Sequence, residues 1–130
     1  MPYGRVGVLE SIRGVYALIV DPDARRRALL MTILTYCGAY VRESDSAERA
    51  IRLIGEVRPD VLVADFSDVG SALVGDLRQL KADRGGVVPA IALGAKGLEA
   101  TALAGGFDAF LATPFVPWQL CELISDMTAA

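Results

Sequence analysis

The chain predicts a doubly wound α/β domain built on one five-stranded parallel sheet. Three observations carry that expectation. Short apolar runs recur five times, each is followed by a stretch of helical periodicity, and the runs are continuous rather than alternating. A strand covered on both faces has no polar side, and the crossover between parallel strands supplies the covering helices.

The elements follow in order. Tyr16-Ala17-Leu18-Ile19-Val20 is the first strand. Leu30, Ile33, Leu34 and Cys37 fall at i, i+3, i+4, i+7 before Gly38, which marks a first helix and its stop. Ala39 to Arg42 is a short second strand. Ser44-Asp45-Ser46 offers N-cap oxygens to a second helix whose stripe is Ala47, Ala50, Ile51 and Ile54, and Arg58-Pro59 closes it. Val61 to Asp65 is the third strand; Leu73, Leu77 and Leu80 mark a third helix ahead of Gly85-Gly86. Val87 to Leu93 is a fourth strand, Leu98 to Ala104 a short fourth helix before Gly105-Gly106, and Phe107 to Ala112 a fifth strand. Pro114 and Pro117 flank the entry to a last helix with the stripe Leu120, Leu123, Ile124, Met127, and Trp118 is expected to pack that helix against the preceding loop. Residues 1–15 read as an N-terminal extension or linker, with an extra strand at Val6 to Leu9 as the alternative, and residues 16–130 as the domain.

Composition narrows the function classes. The 53% hydrophobic and 22% charged fractions exclude a disordered chain, and no run approaches the ~18 apolar residues of a membrane span. A net charge of -3 argues against a general nucleic-acid surface. Arg25-Arg26-Arg27 is the local exception. It reads as a solvated helix turn, with the alternative that one arginine pairs with Asp21 or Asp65 in place of a metal. Cys37 and Cys121 lie in apolar stripes without CxxC spacing, and the chain has no histidine, so both read as reduced core residues. With no signal-peptide pattern, a cytoplasmic location is expected.

The candidate site lies where strands one and three end, at Asp21 and Asp65. In an open parallel sheet ligands bind at the carboxyl ends of the strands, and an order of 2-1-3-4-5 makes strands one and three neighbours. Two adjacent carboxylates stay ionised only beside a cation or hydrogen-bond donors. Mg2+ suits such a pair, and a carboxylate so placed can also attack phosphorus.

Several segments together resemble the receiver domains of two-component response regulators, from about Val15 to the last helix. They are Leu18-Ile19-Val20-Asp21, Arg58-Pro59-Asp60-Val61-Leu62-Val63-Ala64-Asp65, Val88-Pro89-Ala90-Ile91-Ala92-Leu93, and the run from Ala104 to Phe115. The resemblance implies a flavodoxin-like fold, Asp65 as phosphoacceptor, Asp21 in an acidic Mg2+ pocket, and the backbone of Ser67 at the metal. It implies a histidine kinase or histidine phosphotransfer protein as partner, and docking or homodimerisation through residues 98–128. No nucleic-acid or membrane partner is expected.

The departures from the family pattern cluster in the pocket. Receivers carry two adjacent acids after strand one, and this chain has Pro22 in second place. Asp23, one residue on, reads as the N-cap of the first helix, with a rebuilt metal ligand as the alternative. Gly94 stands where the family places a threonine or serine, and Thr113 where it places a lysine. Phe110 occupies the family's switch aromatic position without its hydroxyl partner. The expectation is therefore a degenerate receiver, not an enzyme, that binds Mg2+ weakly and is phosphorylated weakly or not at all. The alternative is a pseudo-receiver acting as a protein-binding platform without phosphorylation. A remote third reading takes Asp21-Pro22-Asp23 as the DxD of a haloacid-dehalogenase-type phosphatase, although Ala24 and Arg25 follow where that family expects threonine or valine.

Overall fold

The computed structural model describes residues 11–67, 72–73, 75–76 and 88–128. Five parallel strands form one sheet in the order β2-β1-β3-β4-β5, the flavodoxin-like arrangement. They are β1 Tyr16–Val20, β2 Tyr40–Ser44, β3 Val61–Asp65, β4 Ala90–Gly94 and β5 Ala109–Ala112. The described helices are α1 Ala24–Tyr36, α2 Ala47–Val57, α3 Glu99–Ala104 and α4 Pro117–Thr128, with a 3-10 turn at Lys96–Leu98 leading into α3.

Successive side chains on a strand point to opposite faces, and the core divides along that rule. Leu18, Val20, Leu62, Ala64, Ala90 and Ala92 pack on one face with Ala50, Leu53 and Ile54 of α2 and Ala102 of α3. Ala17, Ile19, Val61, Val63, Ile91 and Leu93 pack on the other with Leu30 and Leu34 of α1 and Leu120, Cys121 and Ile124 of α4. Every residue of β3 and β4 is buried, as the continuous apolar runs require. Each fully buried Leu or Ile contributes about 1.5–3 kcal/mol relative to exposure.

Helix ends follow local chemistry. Asp23 caps α1, its Oδ1 accepting from the amides of Arg25 at 2.8 Å and Arg26 at 3.1 Å. The amide of Arg26, helped by the Arg25 amide and by the positive side chains of both arginines, holds the Asp23 carboxyl below the usual carboxylate range. Gly38 reverses the chain after α1 at φ 100°, where an added Cβ would meet the Arg13 backbone at 2.9 Å. Ser46 caps α2 through the Arg49 amide, and α2 ends at Arg58 with φ 49°. Acids at the amino ends of the strands are structural: Asp60 Oδ2 accepts from the Tyr16 amide and Asp108 Oδ2 from the Ala90 amide, both at 2.8 Å.

Several boundaries shift by one to three residues. β2 runs on to Ser44, β4 starts at Ala90 rather than Val87, and β5 starts at Ala109, because hydrogen bonding to the neighbouring strand decides where an apolar run becomes a strand. Of the 1–15 extension, Ile12 is fully buried in the α1–α4 layer, and its amide donates to the Cys37 carbonyl, so the last residues of that segment belong to the folded unit. The alternative strand at Val6 to Leu9 lies outside the described residues. Most of the third predicted helix also lies outside them, including Leu77 and Leu80, although Leu73 is helical and buried.

Trp118, expected to pack α4 against the preceding loop, is 51% exposed. It sits roughly a third of a turn off the Leu120–Cys121–Ile124 stripe, whereas Phe115 packs against that layer.

Arg58 makes a stability prediction. A side chain in left-handed backbone is strained and glycine is not, so Arg58→Gly should raise the unfolding free energy by about 0.5–1 kcal/mol in urea titration. A loss of stability would mean that the arginine side chain makes a compensating contact.

Candidate functional site

Register alone brings the two acids together. Val20 of β1 pairs with Ala64 of β3, so Asp21 and Asp65 are the next residues along adjacent strands at the same rim. Asp65 pairs with Leu93 and Gly94 with Ala112, which sets Gly94 and Thr113 along the rim beyond them. Both acids are buried, Asp21 at 2% and Asp65 at 8% exposure. Adjacent strands lie about 4.8 Å apart, so two ionised carboxylates there need a positive charge nearby.

Arg26 supplies it. Its Nε lies 2.9 Å from Asp21 Oδ2 and its Nη2 2.9 Å from Asp21 Oδ1, a two-pronged pair. The same Nη2 lies 3.7 Å from Asp65 Oδ2, and Nη1 lies 3.8 Å from Asp23 Oδ2. One guanidinium therefore faces three carboxylates. Planar bidentate pairing is the strongest geometry available to arginine and a carboxylate, which is why it outweighs the cost of a positive side chain near the N-terminus of α1. Side chains of a helix lean toward its N-terminus, and Arg26, in the first turn after the Asp23 cap, leans toward the end of β1.

Arg27 completes the arrangement from the next position. Its Nη1 donates to the Asp21 carbonyl at 2.8 Å and its Nε to Glu43 Oε1 of β2 at 3.0 Å. The Asp23 amide donates to Asp21 Oδ1 at 2.8 Å, and the Asp21 amide to the Ser44 carbonyl at 3.0 Å. Arg25-Arg26-Arg27 is thus not simply a solvated turn. Arg26 makes the pairing with Asp21 that the alternative reading names, while the bond of Arg27 to a backbone carbonyl is a contact that no side-chain pattern reveals.

The donors do not fit a tight Mg2+ site in this arrangement. Mg2+ needs oxygens at 2.0–2.1 Å in near-octahedral geometry, and the space between Asp21 and Asp65 is taken by a guanidinium. Asp23 is committed as a helix cap rather than a ligand, Pro22 offers no oxygen from its side chain, and among the described residues no three His, Cys, Asp or Glu side chains are placed so that they could hold a metal ion.

The remaining rim residues are placed as follows. Gly94 is buried, and a Cβ added to it would meet Leu98 Cδ1 at 3.3 Å, Ser67 Oγ at 3.6 Å and Phe110 Cε1 at 3.8 Å. Ser67 and Phe110 therefore both lie beside Gly94, and a serine hydroxyl stands next to the place where a hydroxyl at 94 would project. Phe110 is half-buried against the α2–α3 layer. Thr113 is exposed; its amide donates to the Gly94 carbonyl at 2.9 Å, and the peptide bond to Pro114 is cis. A separate recess of about 660 Å3 opens at the amino ends of the strands, among Arg13, Arg58, Asp60 and Pro89, away from the acidic rim.

No family model matches the chain. Over 128 residues it is 32% identical to an uncharacterized 14.6 kDa protein of the sodA1 3' region in Leptolyngbya boryana, with 94% of this chain and 96% of that protein covered. Over 111 residues it is 32% identical to the phosphate regulon transcriptional regulatory protein PhoB of Pseudomonas aeruginosa, covering 82% of this chain and 48% of that protein. The chain thus spans about half the length of that regulator. Among solved structures, a protein assigned as a response regulator from Chloroflexus aurantiacus matches at TM-score 0.80 and 27% identity, over 91% of this chain and 100% of the other. The receiver domain of Ssk1 from Saccharomyces cerevisiae, solved with the histidine phosphotransfer protein Ypd1, matches at TM-score 0.80 and 18% identity over 90% of each chain, a likeness of fold.

Two predictions follow from the geometry. Removing the Arg26 guanidinium leaves Asp21 buried without its ion pair. Chemical denaturation of Arg26→Ala should show a loss of about 1–3 kcal/mol, less than for a fully buried pair because the Arg26 side chain is 49% exposed. Asp23 has a lowered pKa, so its stabilisation is present above the usual carboxylate range and fades as pH falls through the folded value. Melting temperature followed from pH 7 to about pH 3 should therefore fall more for the wild type than for Asp23→Asn, whose cap carries no charge; parallel curves would contradict this.

Proposed function

The chain belongs to the receiver domains of two-component response regulators, and on that premise we propose that it is a receiver whose pocket carries its own cation and whose Asp65 is phosphorylated weakly or not at all. The observation that carries this reading is the Arg26 guanidinium held at 2.9 Å on both oxygens of Asp21 and 3.7 Å from Asp65. Asp65 keeps the position of the phosphoacceptor, at the carboxyl end of a buried central strand. The groups that would stabilise an incoming phosphoryl group are reduced. Pro22 replaces an acid, Gly94 a hydroxyl and Thr113 a lysine, and losing a single charge-stabilising contact of this type costs roughly 100- to 1000-fold in rate.

Such a module works by contact. It catalyses no reaction of its own, and its partners are a histidine kinase, a histidine phosphotransfer protein, or a second copy of the chain. The surface that supports this is residues 98–128, where Leu103, Val116 and Trp118 are 42%, 40% and 51% exposed although large and apolar. Mg2+ binds weakly, in competition with Arg26. The haloacid-dehalogenase reading loses its basis, since Asp23, the second acid of its DxD, is spent on capping α1.

Incubation with acetyl phosphate and Mg2+ followed by intact mass tests the proposal. The wild type should show no phosphoryl adduct; a stoichiometric adduct abolished by Asp65→Asn would overturn it. Calorimetric titration supplies the second measurement: Arg26→Ala should bind Mg2+ about tenfold or more tightly than the wild type, a difference of ~1.4 kcal/mol or more. Light scattering tests the contact surface, where Trp118→Ala should weaken any dimer that the wild type forms.

A further inference from the structure

Away from the acidic rim, the two cysteines meet. Cys37 is the C-cap of α1, its amide donating to the carbonyls of Ile33 and Leu34, and Cys121 lies on the buried stripe of α4. Both are free thiols, 4% and 0% exposed, in the apolar layer with Leu34, Leu120 and Ile124. Their sulfurs are 2.7 Å apart across 84 positions of sequence, only about 0.7 Å beyond the length of an S–S bond. Nothing in the phosphoacceptor pocket uses them.

We propose that Cys37 and Cys121 are a redox modification site that closes an internal disulfide between α1 and α4 on exposure to hydrogen peroxide. Cys37, the more accessible of the two, is attacked first. Its sulfur donates an electron pair to one peroxide oxygen, the O–O bond breaks, and a sulfenic acid and one water form. The Cys121 sulfur then attacks the sulfenic sulfur, the S–O bond breaks, and a second water leaves. The two thiol protons end in the waters, and the sulfurs lose two electrons to the peroxide.

Burial gives this site its character. The thiol form of Cys121 is favoured by desolvation and by the Cys37 sulfur beside it, which pushes its pKa up. A neutral, enclosed thiol is a poor partner for bulky thiol–disulfide exchange, so a small diffusible oxidant is the reagent that fits, and the reaction is slow. Once formed, the bond is shielded from reductants by the same packing. It would tie the helix that carries Arg26 and Arg27 to the helix at the apolar contact surface.

The test uses the intact chain. After hydrogen peroxide, denaturation and alkylation, the expected product has lost two hydrogens, carries no alkyl group, and gives a cross-linked 37–121 peptide on non-reducing mapping. Dithiothreitol added to the denatured, oxidised chain before alkylation should reverse all three. A bond closing so long a loop should raise the melting temperature by about 10 °C. In Cys37→Ala the two-hydrogen loss should vanish, and the wild-type peptide map stands independently should that variant fold poorly. Two fully alkylated thiols after peroxide, sulfinic or sulfonic adducts in place of the bond, an intermolecular dimer, or an oxidised form that melts no higher than the reduced one would each overturn the proposal.

Discussion

Burying two carboxylates at the rim of an apolar sheet sets the constraint that the rest of the pocket answers. β1 and β3 are buried on both faces, and Asp21, just after β1, and Asp65, the last residue of β3, each stand one residue past the Val20–Ala64 pair. Charges so placed cannot stay ionised on hydration alone, and the fold must bring a cation to them or let one in. Here the cation is covalently part of the chain. Arg26 reaches back over the Asp23 cap, closes two hydrogen bonds on Asp21, and lies across from Asp65.

That arrangement links several residues that look unrelated in sequence. Asp23 fixes the start of α1, so it places Arg26; Arg27 ties the same turn to the Asp21 carbonyl and to Glu43 on β2. A free divalent ion exchanges with solvent, whereas a tethered guanidinium is present at an effective concentration set by the fold. The charge of Asp21 is thus met from within the chain, and the weak phosphorylation proposed above starts from that contact.

Much of this was legible from the chain. The apolar runs of β1, β3 and β4 and the stripes at Leu30, Leu34 and Cys37, at Ala50 and Ile54, and at Leu120 and Ile124 lie buried where their pattern puts them, whereas the edge strand β2 is largely exposed and β5 half-buried. Asp21 and Asp65 were legible as a pair because an acid at the end of an apolar strand is conspicuous. Asp23 as a cap was legible because capping is a contact over two or three residues. The half-exposure of Trp118 was not legible: large aromatic rings are usually buried, but its angle around α4 takes it off the stripe.

The sequence by itself determined the fold, the strand ends at which the acids stand, and the absence of a second adjacent acid, a rim hydroxyl and a lysine, since each depends on local residue type and spacing. Only the tertiary structure decided which of three consecutive arginines enters the pocket, that Arg27 holds a backbone carbonyl, that Ser67 and Phe110 crowd Gly94, and that Cys37 meets Cys121. Those outcomes depend on helix rotation and on distances between elements far apart in the chain. A one-dimensional pattern carries neither.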